Sequence, residues 1–144
     1  HEHIIKDLER MNVKINFITD GDIAGALSVI GNNPINDIYY STGGAPEGVV
    51  VAAALSCYGG QIQGRLVLDE AGKVRAKKLG IKDFTKKYNI EDMVKGDVIF
   101  CATGVTSGDL ATGVKDLGNE FEVNTFALHK SKNIIKSVIN IYNK

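Results

Sequence analysis

The chain has 144 residues, and its 17 basic and 17 acidic side chains cancel to a formal net charge of zero. This length is typical of one domain, so we predict a single α/β domain over residues 1–144. Balanced charge argues against a nucleic-acid-binding surface, and no apolar run approaches the roughly 20 residues of a membrane span. We therefore expect neither nucleic acid nor a membrane as a partner, and a cytoplasmic location.

The first two elements are a predicted helix and a predicted strand. Apolar side chains recur at helical spacing over residues 2–11, which predicts an amphipathic helix. Apolar and polar residues alternate over residues 13–18, which predicts a strand. A turn at residues 31–34 closes the helix predicted next, at residues 23–30.

Between that strand and that helix, Asp20 and Asp22 flank Gly21. Binding groups often collect where a strand ends and a loop begins. Two carboxylates around a glycine offer acceptors for sugar hydroxyls or for a cation, and the glycine lets the backbone turn. Alternatively, one aspartate caps the following helix. The local pattern leaves both interpretations open.

The segment at residues 38–57 joins an apolar run, a glycine pair and a helix of small residues. Ile38 to Tyr40 favour a strand, and Gly43 and Gly44 allow a ligand to approach the backbone closely. Pro46 suits the first helical position, and Glu47 lies in the first turn, near free backbone N–H groups. The segment predicts a strand, a turn and a buried helix whose start can receive an anion or a metal-bridged phosphate.

The middle of the chain carries a predicted strand at residues 61–68, a helix at residues 69–80 and a short helical turn at residues 91–94. Arg65 can contact a phosphate through its planar guanidinium or form an ion pair at the surface or between subunits. The two cysteines, Cys57 and Cys101, lie far apart on apolar segments, which predicts buried thiols and no disulfide or metal site.

The last part of the chain predicts a buried strand at residues 97–102 and a loop at residues 103–109. That loop either walls a polar pocket or uses Thr106 and Asp109 to cap a helix at residues 110–114, and we favour the cap.

Two further strands, at residues 121–129 and 133–142, predict a hairpin because they are rich in β-branched residues. No Cys or Asp lies near His129 in the sequence, so we expect its imidazole to be exposed at the turn.

Four segments in order, ITDGDIAGAL at 18–27, STGGAPEGVVVAAAL at 41–55, QGRL at 63–66 and IFCATGVTSGDL at 99–110, resemble the class II fructose-1,6-bisphosphatases. These enzymes are a branch of the metal-dependent, lithium-sensitive sugar phosphatases. The resemblance implies a mixed β-sheet flanked by helices, the second half of a layered fold with its active site between the two halves.

The resemblance also implies a role for five residues. Glu47 would be a ligand for Mn²⁺ or Mg²⁺, Gly44 a backbone contact to substrate, and Asp20, Gly21 and Asp22 the sugar-binding residues. No catalytic residue is assigned within this chain. The implied reaction is hydrolysis of fructose 1,6-bisphosphate to fructose 6-phosphate and phosphate, a step of gluconeogenesis.

The implied partners are the sugar bisphosphate, a missing N-terminal half of the same enzyme that carries a Lys-Pro-Arg motif and the other metal ligands, and further subunits of a homo-oligomer. We therefore expect this chain alone to be inactive. The alternative function is a non-catalytic phosphate- or sugar-binding module, or an oligomerisation module, because Glu47 alone cannot hold a metal cluster.

Overall fold

The computed structural model describes residues 1–31 and 33–144. Its helices are α1 (Glu2–Arg10), α2 (Asp22–Leu27), α3 (Ala45–Tyr58), α4 (Glu70–Lys78) and α5 (Ile90–Met93). Its strands are β1 (Gly64–Arg65), β2 (Lys87–Tyr88), β3 (Ile99–Thr103), β4 (Lys115–Asp116), β5 (Glu120–His129) and β6 (Ile134–Asn143). The predicted α/β class, with β-sheet flanked by helices, is confirmed. The turn predicted at 31–34 includes position 32, which lies outside the described residues.

Helix α3 is the central packing element. Gly44 is its N-cap and Pro46 stands at the second helical position, where its missing N–H is not needed. Gly59 ends the helix with φ of 71°, a conformation that favours glycine. Ala52 and Ala54 are completely buried, whereas Val49 and Val50 remain about two-fifths exposed, at 43% and 40%. The second half of the helix, from Val51 to Cys57, is therefore buried almost all round, whereas its first half is largely exposed.

Four strands form an antiparallel sheet, in which β5 pairs with β6 on one side and with β3 and β4 on the other. The long β5–β6 hairpin confirms the prediction for residues 121–142. Phe100 pairs with Leu128 across β3 and β5, and both side chains are buried in the same apolar cluster as α3. The part of the inner face formed by β3 and β5 thus rests on α3, whereas Ile139 of β6, on the same face by register, is 59% exposed.

The outer face of the sheet is open to solvent. Ile99 is 68% exposed and Tyr142 is 55% exposed, while Phe100, one residue along β3, is only 7% exposed. The strand predicted at 97–102 therefore forms as β3, but the prediction that it is buried is wrong for one of its faces, because successive side chains alternate between a covered and an uncovered face. The same alternation leaves Cys101 exposed, contrary to prediction, whereas Cys57 is buried as predicted.

Two predicted strands do not form. Residues 13–18 and 38–40 have no regular secondary structure, and Phe17 and Ile38 are 72% and 83% exposed. The predicted strand at 61–68 shortens to the two residues of β1, which pair with β2. β-Propensity becomes a strand only where a neighbouring strand completes the ladder, and these segments find none or little within the described residues.

Within residues 1–31 and 33–144, no helix is both long enough and apolar enough to traverse a lipid bilayer.

Candidate functional site

The chain enters α2 through Gly21, whose backbone has a left-handed conformation. Gly21 is the N-cap of this helix with φ of 76°, and its carbonyl accepts a hydrogen bond from Gly25 N at 2.8 Å. Asp22 is therefore the first residue inside the helix. No side chain caps the helix, so the alternative role of Asp20 or Asp22 as its cap is wrong.

Tyr39 orients the Asp22 carboxylate. The Tyr39 hydroxyl donates a hydrogen bond to Asp22 Oδ1 at 2.9 Å. The ring lies so close to α2 that a methyl group on Gly25 would meet Tyr39 Cε2 at 2.8 Å. Burial, and then the hydrogen bond to Asp22, raises the pKa of the Tyr39 phenol. Sequence reasoning missed Tyr39 and Gly25, because their roles require that two segments 14 residues apart come together.

The second Asp22 oxygen and the Glu47 carboxylate both lie against the glycine pair. A Cβ on Gly43 would stand 3.0 Å from Asp22 Oδ2, and a Cβ on Gly44 would collide with Glu47 Oε2. Any side chain at Gly44 would displace the Glu47 carboxylate. We call Asp22, Gly43, Gly44 and Glu47 the glycine site. The structure thus brings together predicted residues from the starts of α2 and α3.

The acidic groups at this end of the two helices are available for a ligand. Asp20, Asp22 and Glu47 are exposed. Asp20 lies in the loop before Gly21, and within the described residues neither Asp20 nor Glu47 accepts a side-chain hydrogen bond or forms an ion pair. Glu47 also stands in the first turn of α3, where the free N–H groups and the helix dipole favour negative charge. The start of α3 can therefore bind an anionic group, either directly or through a cation that contacts both the carboxylates and the anion.

A complete metal centre is not present in the part of the chain that the structure describes. No three His, Cys, Asp or Glu side chains there are grouped so that they would hold an ion. An exposed carboxylate is nevertheless the oxygen ligand that hard divalent cations prefer. Glu47 therefore fits the role of one ligand among several, and the other ligands would have to come from outside this set of residues.

The loop at residues 103–111 lines an open cavity of about 290 Å³ together with Ala24 of α2. No helix forms at 110–114, so the favoured capping prediction for Thr106 and Asp109 is wrong. Instead the Ser107 hydroxyl accepts a hydrogen bond from Gly113 N at 2.9 Å, and Gly108 N bonds to the Ala111 carbonyl at 3.0 Å. The loop folds back on itself and walls a pocket, which is the alternative interpretation.

A second polar cluster, unforeseen from the sequence, ties the β5–β6 turn to the start of β3. Asp97 Oδ2 lies 2.8 Å from His129 Nε2 and accepts a 2.5 Å hydrogen bond from the Ser131 hydroxyl. Asp97 Oδ1 accepts further bonds from the backbone N–H groups of Ser131 and Val98. We call Asp97, His129 and Ser131 the turn cluster. The expectation that His129 is an exposed side chain without a partner is therefore wrong.

The turn cluster is not arranged for nucleophilic catalysis. The Ser131 hydroxyl donates to Asp97, and the same His129 nitrogen faces both Asp97 and Ser131, the latter at 3.3 Å. In a catalytic triad the imidazole stands between the two, with one nitrogen toward each. The hydrogen bonds from Ser131, and then from His129, hold the pKa of the Asp97 carboxyl well below its ordinary value. No local sequence signal predicts this cluster, since Asp97 lies 32 residues from His129.

Comparison with known proteins places these features in a family. The sequence profile described as "Bacterial fructose-1,6-bisphosphatase, glpX-encoded" matches residues 1–142. A "D-fructose 1,6-bisphosphatase class 2/sedoheptulose 1,7-bisphosphatase" of Synechococcus sp. (strain JA-3-3Ab) is 34% identical over the whole chain, which covers 46% of that relative.

A "Fructose-1,6-bisphosphatase class 2" of Haemophilus influenzae is 32% identical over 99% of the chain and 47% of its own length. The chain thus spans about half the length of these curated relatives. The match over nearly all of its residues shows that the chain belongs to the glpX-encoded bacterial fructose-1,6-bisphosphatase family.

Proposed function

We propose that this chain forms one wall of the active site of a metal-dependent sugar bisphosphatase, which hydrolyses fructose 1,6-bisphosphate to fructose 6-phosphate and phosphate. The observation that carries the proposal is the convergence of the Asp22 and Glu47 carboxylates on the consecutive glycines Gly43 and Gly44. Family membership supports this reaction class, and the glycine site contains groups suited to it.

In this proposal the carboxylates of Glu47 and Asp22 have different roles. Glu47 is a ligand to a divalent cation, Mn²⁺ or Mg²⁺, which when bound would neutralise charge on the phosphoryl oxygens. Gly44 keeps the backbone beside Glu47 open, so that substrate can approach the N–H groups at the start of α3. A cation held by Glu47 would share its phosphate with the start of α3, where the positive end of the helix dipole also favours an anion.

Asp20, Gly21 and Asp22 bind the sugar portion. Their carboxylates accept hydrogen bonds from hydroxyl groups, and the left-handed Gly21 sets the direction of the chain between them. Tyr39 is a positioning residue, because its hydroxyl fixes one Asp22 oxygen and leaves the other facing Gly43.

The remaining metal ligands and phosphate-binding groups would come from residues outside this chain.

The test is phosphate release from fructose 1,6-bisphosphate, compared between the 144-residue chain alone and a protein extended to the length of the relatives, with Mn²⁺ or Mg²⁺ and then with a chelator. We expect activity only from the longer protein, and only with a cation. Turnover by the 144-residue chain alone would contradict the proposal that residues outside this chain complete the active site. Turnover that persists with a chelator would contradict the requirement for a metal ion. A parallel assay with sedoheptulose 1,7-bisphosphate defines the substrate range.

A second candidate function, assembly of subunits or of a second half of the enzyme, is favoured by the outer face of the sheet. Ile99, Val138 and Tyr142 lie on that face by strand register and are 68%, 37% and 55% exposed. Apolar surface of this kind is typical of a face that another polypeptide covers. Light scattering and binding of a hydrophobic dye test this role: a monomer of the 144-residue chain that binds no excess dye would contradict it.

A further inference from the structure

The small ribbon of β1 and β2 places two cations directly opposite each other. The two strands are antiparallel, and Arg65 pairs with Lys87 while Gly64 pairs with Tyr88. Directly paired residues of an antiparallel ladder project from the same face, with Cβ atoms about 4.5–5.5 Å apart. The guanidinium and the ammonium group therefore share one face of the ribbon.

The neighbouring cation, Lys86, already has an acidic partner. Lys86 projects from the opposite face, where its ammonium lies 2.5 Å from Asp92 Oδ1 and 4.9 Å from the centre of the Tyr88 ring. Arg65 and Lys87, by contrast, are exposed and form no ion pair within the part of the chain that the structure describes. The face that carries Arg65 and Lys87 thus has two positive charges and no compensating carboxylate among these contacts.

Packing does not account for this arrangement. Like charges directly opposite in a ladder destabilise it. The ribbon has only two residue pairs, so one of its two pairs is repulsive. Exchange of either cation for a neutral or acidic residue would relieve the repulsion at no cost in buried surface, because both side chains are exposed.

We propose that Arg65 and Lys87 form an anion site that binds the phosphate group of a small phosphorylated molecule. A phosphate monoester carries close to two negative charges at neutral pH and can neutralise both cations at once. The planar guanidinium can give it two parallel hydrogen bonds, and the ammonium adds a compact point charge. The site is a single pair on a chain with zero net charge, so it fits one phosphate group and not the extended backbone of a nucleic acid.

This inference does not rest on the proposed hydrolysis. Its test is calorimetric titration of the protein with inorganic phosphate at pH 8 and low ionic strength, in the presence of a chelator that removes metal from any catalytic centre. We expect Arg65→Gln and Lys87→Gln each to raise Kd about tenfold or more, the effect of one lost charge-assisted hydrogen bond. Lys132→Gln, which removes the same charge from the β5–β6 turn, is the matched control and should leave Kd unchanged. Equal effects of all three changes, or no effect of the first two, would overturn the proposal.

A charge reversal provides the second measurement. Lys87→Glu places a carboxylate opposite Arg65 and should form a cross-strand ion pair. We expect this variant to melt at a higher temperature than the parent without phosphate, and to gain no stability from added phosphate. The parent should gain stability because phosphate binds its folded state. If phosphate stabilises both proteins equally, the anion is bound elsewhere and the assignment to Arg65 and Lys87 is wrong.

Discussion

The glycine site and the turn cluster are both polar groups at chain turns, but they use their carboxylates in opposite ways. In the turn cluster, Asp97 accepts hydrogen bonds from the His129 ring and from both the hydroxyl and the backbone N–H of Ser131. In the glycine site, Glu47 accepts no side-chain hydrogen bond from the described residues and lies against a glycine without a side chain. The turn cluster is self-contained, whereas the glycine site leaves charge and space for a ligand.

This difference shows that chemical residue types alone do not mark a site. The turn cluster contains the residue types of a catalytic triad, namely Asp97, His129 and Ser131. Their hydrogen bonds are nevertheless made within the cluster. Groups whose hydrogen bonds are satisfied by their neighbours stabilise a fold, whereas preorganised groups without a partner can bind a ligand. Mutations at the two regions should therefore separate catalysis from stability.

The largest expected effect is on turnover in Glu47→Gln. In a protein that carries the complete active site, we expect kcat to fall by orders of magnitude and the metal concentration for half-maximal activity to rise, because an amide lacks the charge that a hard cation requires. The melting temperature without metal should change little, since a first-turn acidic residue contributes only about 0.3–1 kcal/mol.

Glu70→Gln is the matched control for this change. Glu70 is a first-turn glutamate of α4 and forms an ion pair with Lys73 at 2.7 Å, away from the glycine site in sequence. Its loss should leave kcat and metal dependence unchanged. Near-normal turnover of Glu47→Gln at the original metal concentration would show that Glu47 only begins a helix.

The next effect is on substrate affinity in Asp20→Asn and Asp22→Asn. Each change removes a charge-assisted hydrogen bond to a sugar hydroxyl, worth roughly 1.5–3 kcal/mol, or about 10- to 150-fold in affinity. We expect KM to rise more than kcat falls, as measured by steady-state kinetics with fructose 1,6-bisphosphate. Loss of thermal stability with unchanged kinetics would instead assign both residues a structural role.

The turn cluster should show the reverse pattern, in Asp97→Asn. This change weakens the hydrogen bonds that join β3 to the β5–β6 turn, so we expect the melting temperature to fall by a few degrees at neutral pH while kcat and KM stay unchanged. Calorimetry and steady-state kinetics on the same preparation provide the measurement. A large loss of kcat without a loss of stability would make the cluster part of the active site.

The stability difference between parent and Asp97→Asn should depend on pH. The folded protein holds the pKa of Asp97 below its ordinary value, so the stabilisation is present above the unfolded-state pKa of about 3.9 and is lost as pH falls toward the folded pKa. We expect the difference in melting temperature to shrink below about pH 4. A constant difference down to strongly acidic pH would contradict the role of the ionised carboxylate.

The smallest effect is expected from Tyr39→Phe. The change keeps the ring that packs on Gly25 and removes only the hydrogen bond to Asp22 Oδ1. One such bond is worth about 0.5–1.5 kcal/mol, so KM should rise severalfold at most, with kcat nearly unchanged. Tyr40→Phe removes a hydroxyl from the adjacent exposed residue and should have no effect. Equal behaviour of the two variants would show that Tyr39 does not position Asp22.

The sequence by itself determined the features that depend on neighbouring residues. Helix α1 follows from the helical spacing of its apolar residues. Helix α4 begins after Asp69, whose side chain caps it by accepting a hydrogen bond from Gly72 N. The β5–β6 hairpin follows from two β-branched runs around a short turn. Local steric preference and local hydrogen bonding are encoded within a few residues, and so is the motif that led to the glycine site.

Tertiary structure decided which of these preferences became structure and which side chains meet. Residues 13–18 have strand propensity but pair with no strand among the described residues, because a ladder needs a partner from elsewhere in the chain. Cys101 is exposed and Phe100 buried because only one face of the sheet rests on α3. The contacts of Asp22 with Tyr39, Asp97 with His129 and Arg65 with Lys87 join residues 17, 32 and 22 positions apart. Contacts across such separations depend on how the elements pack, which no local pattern contains.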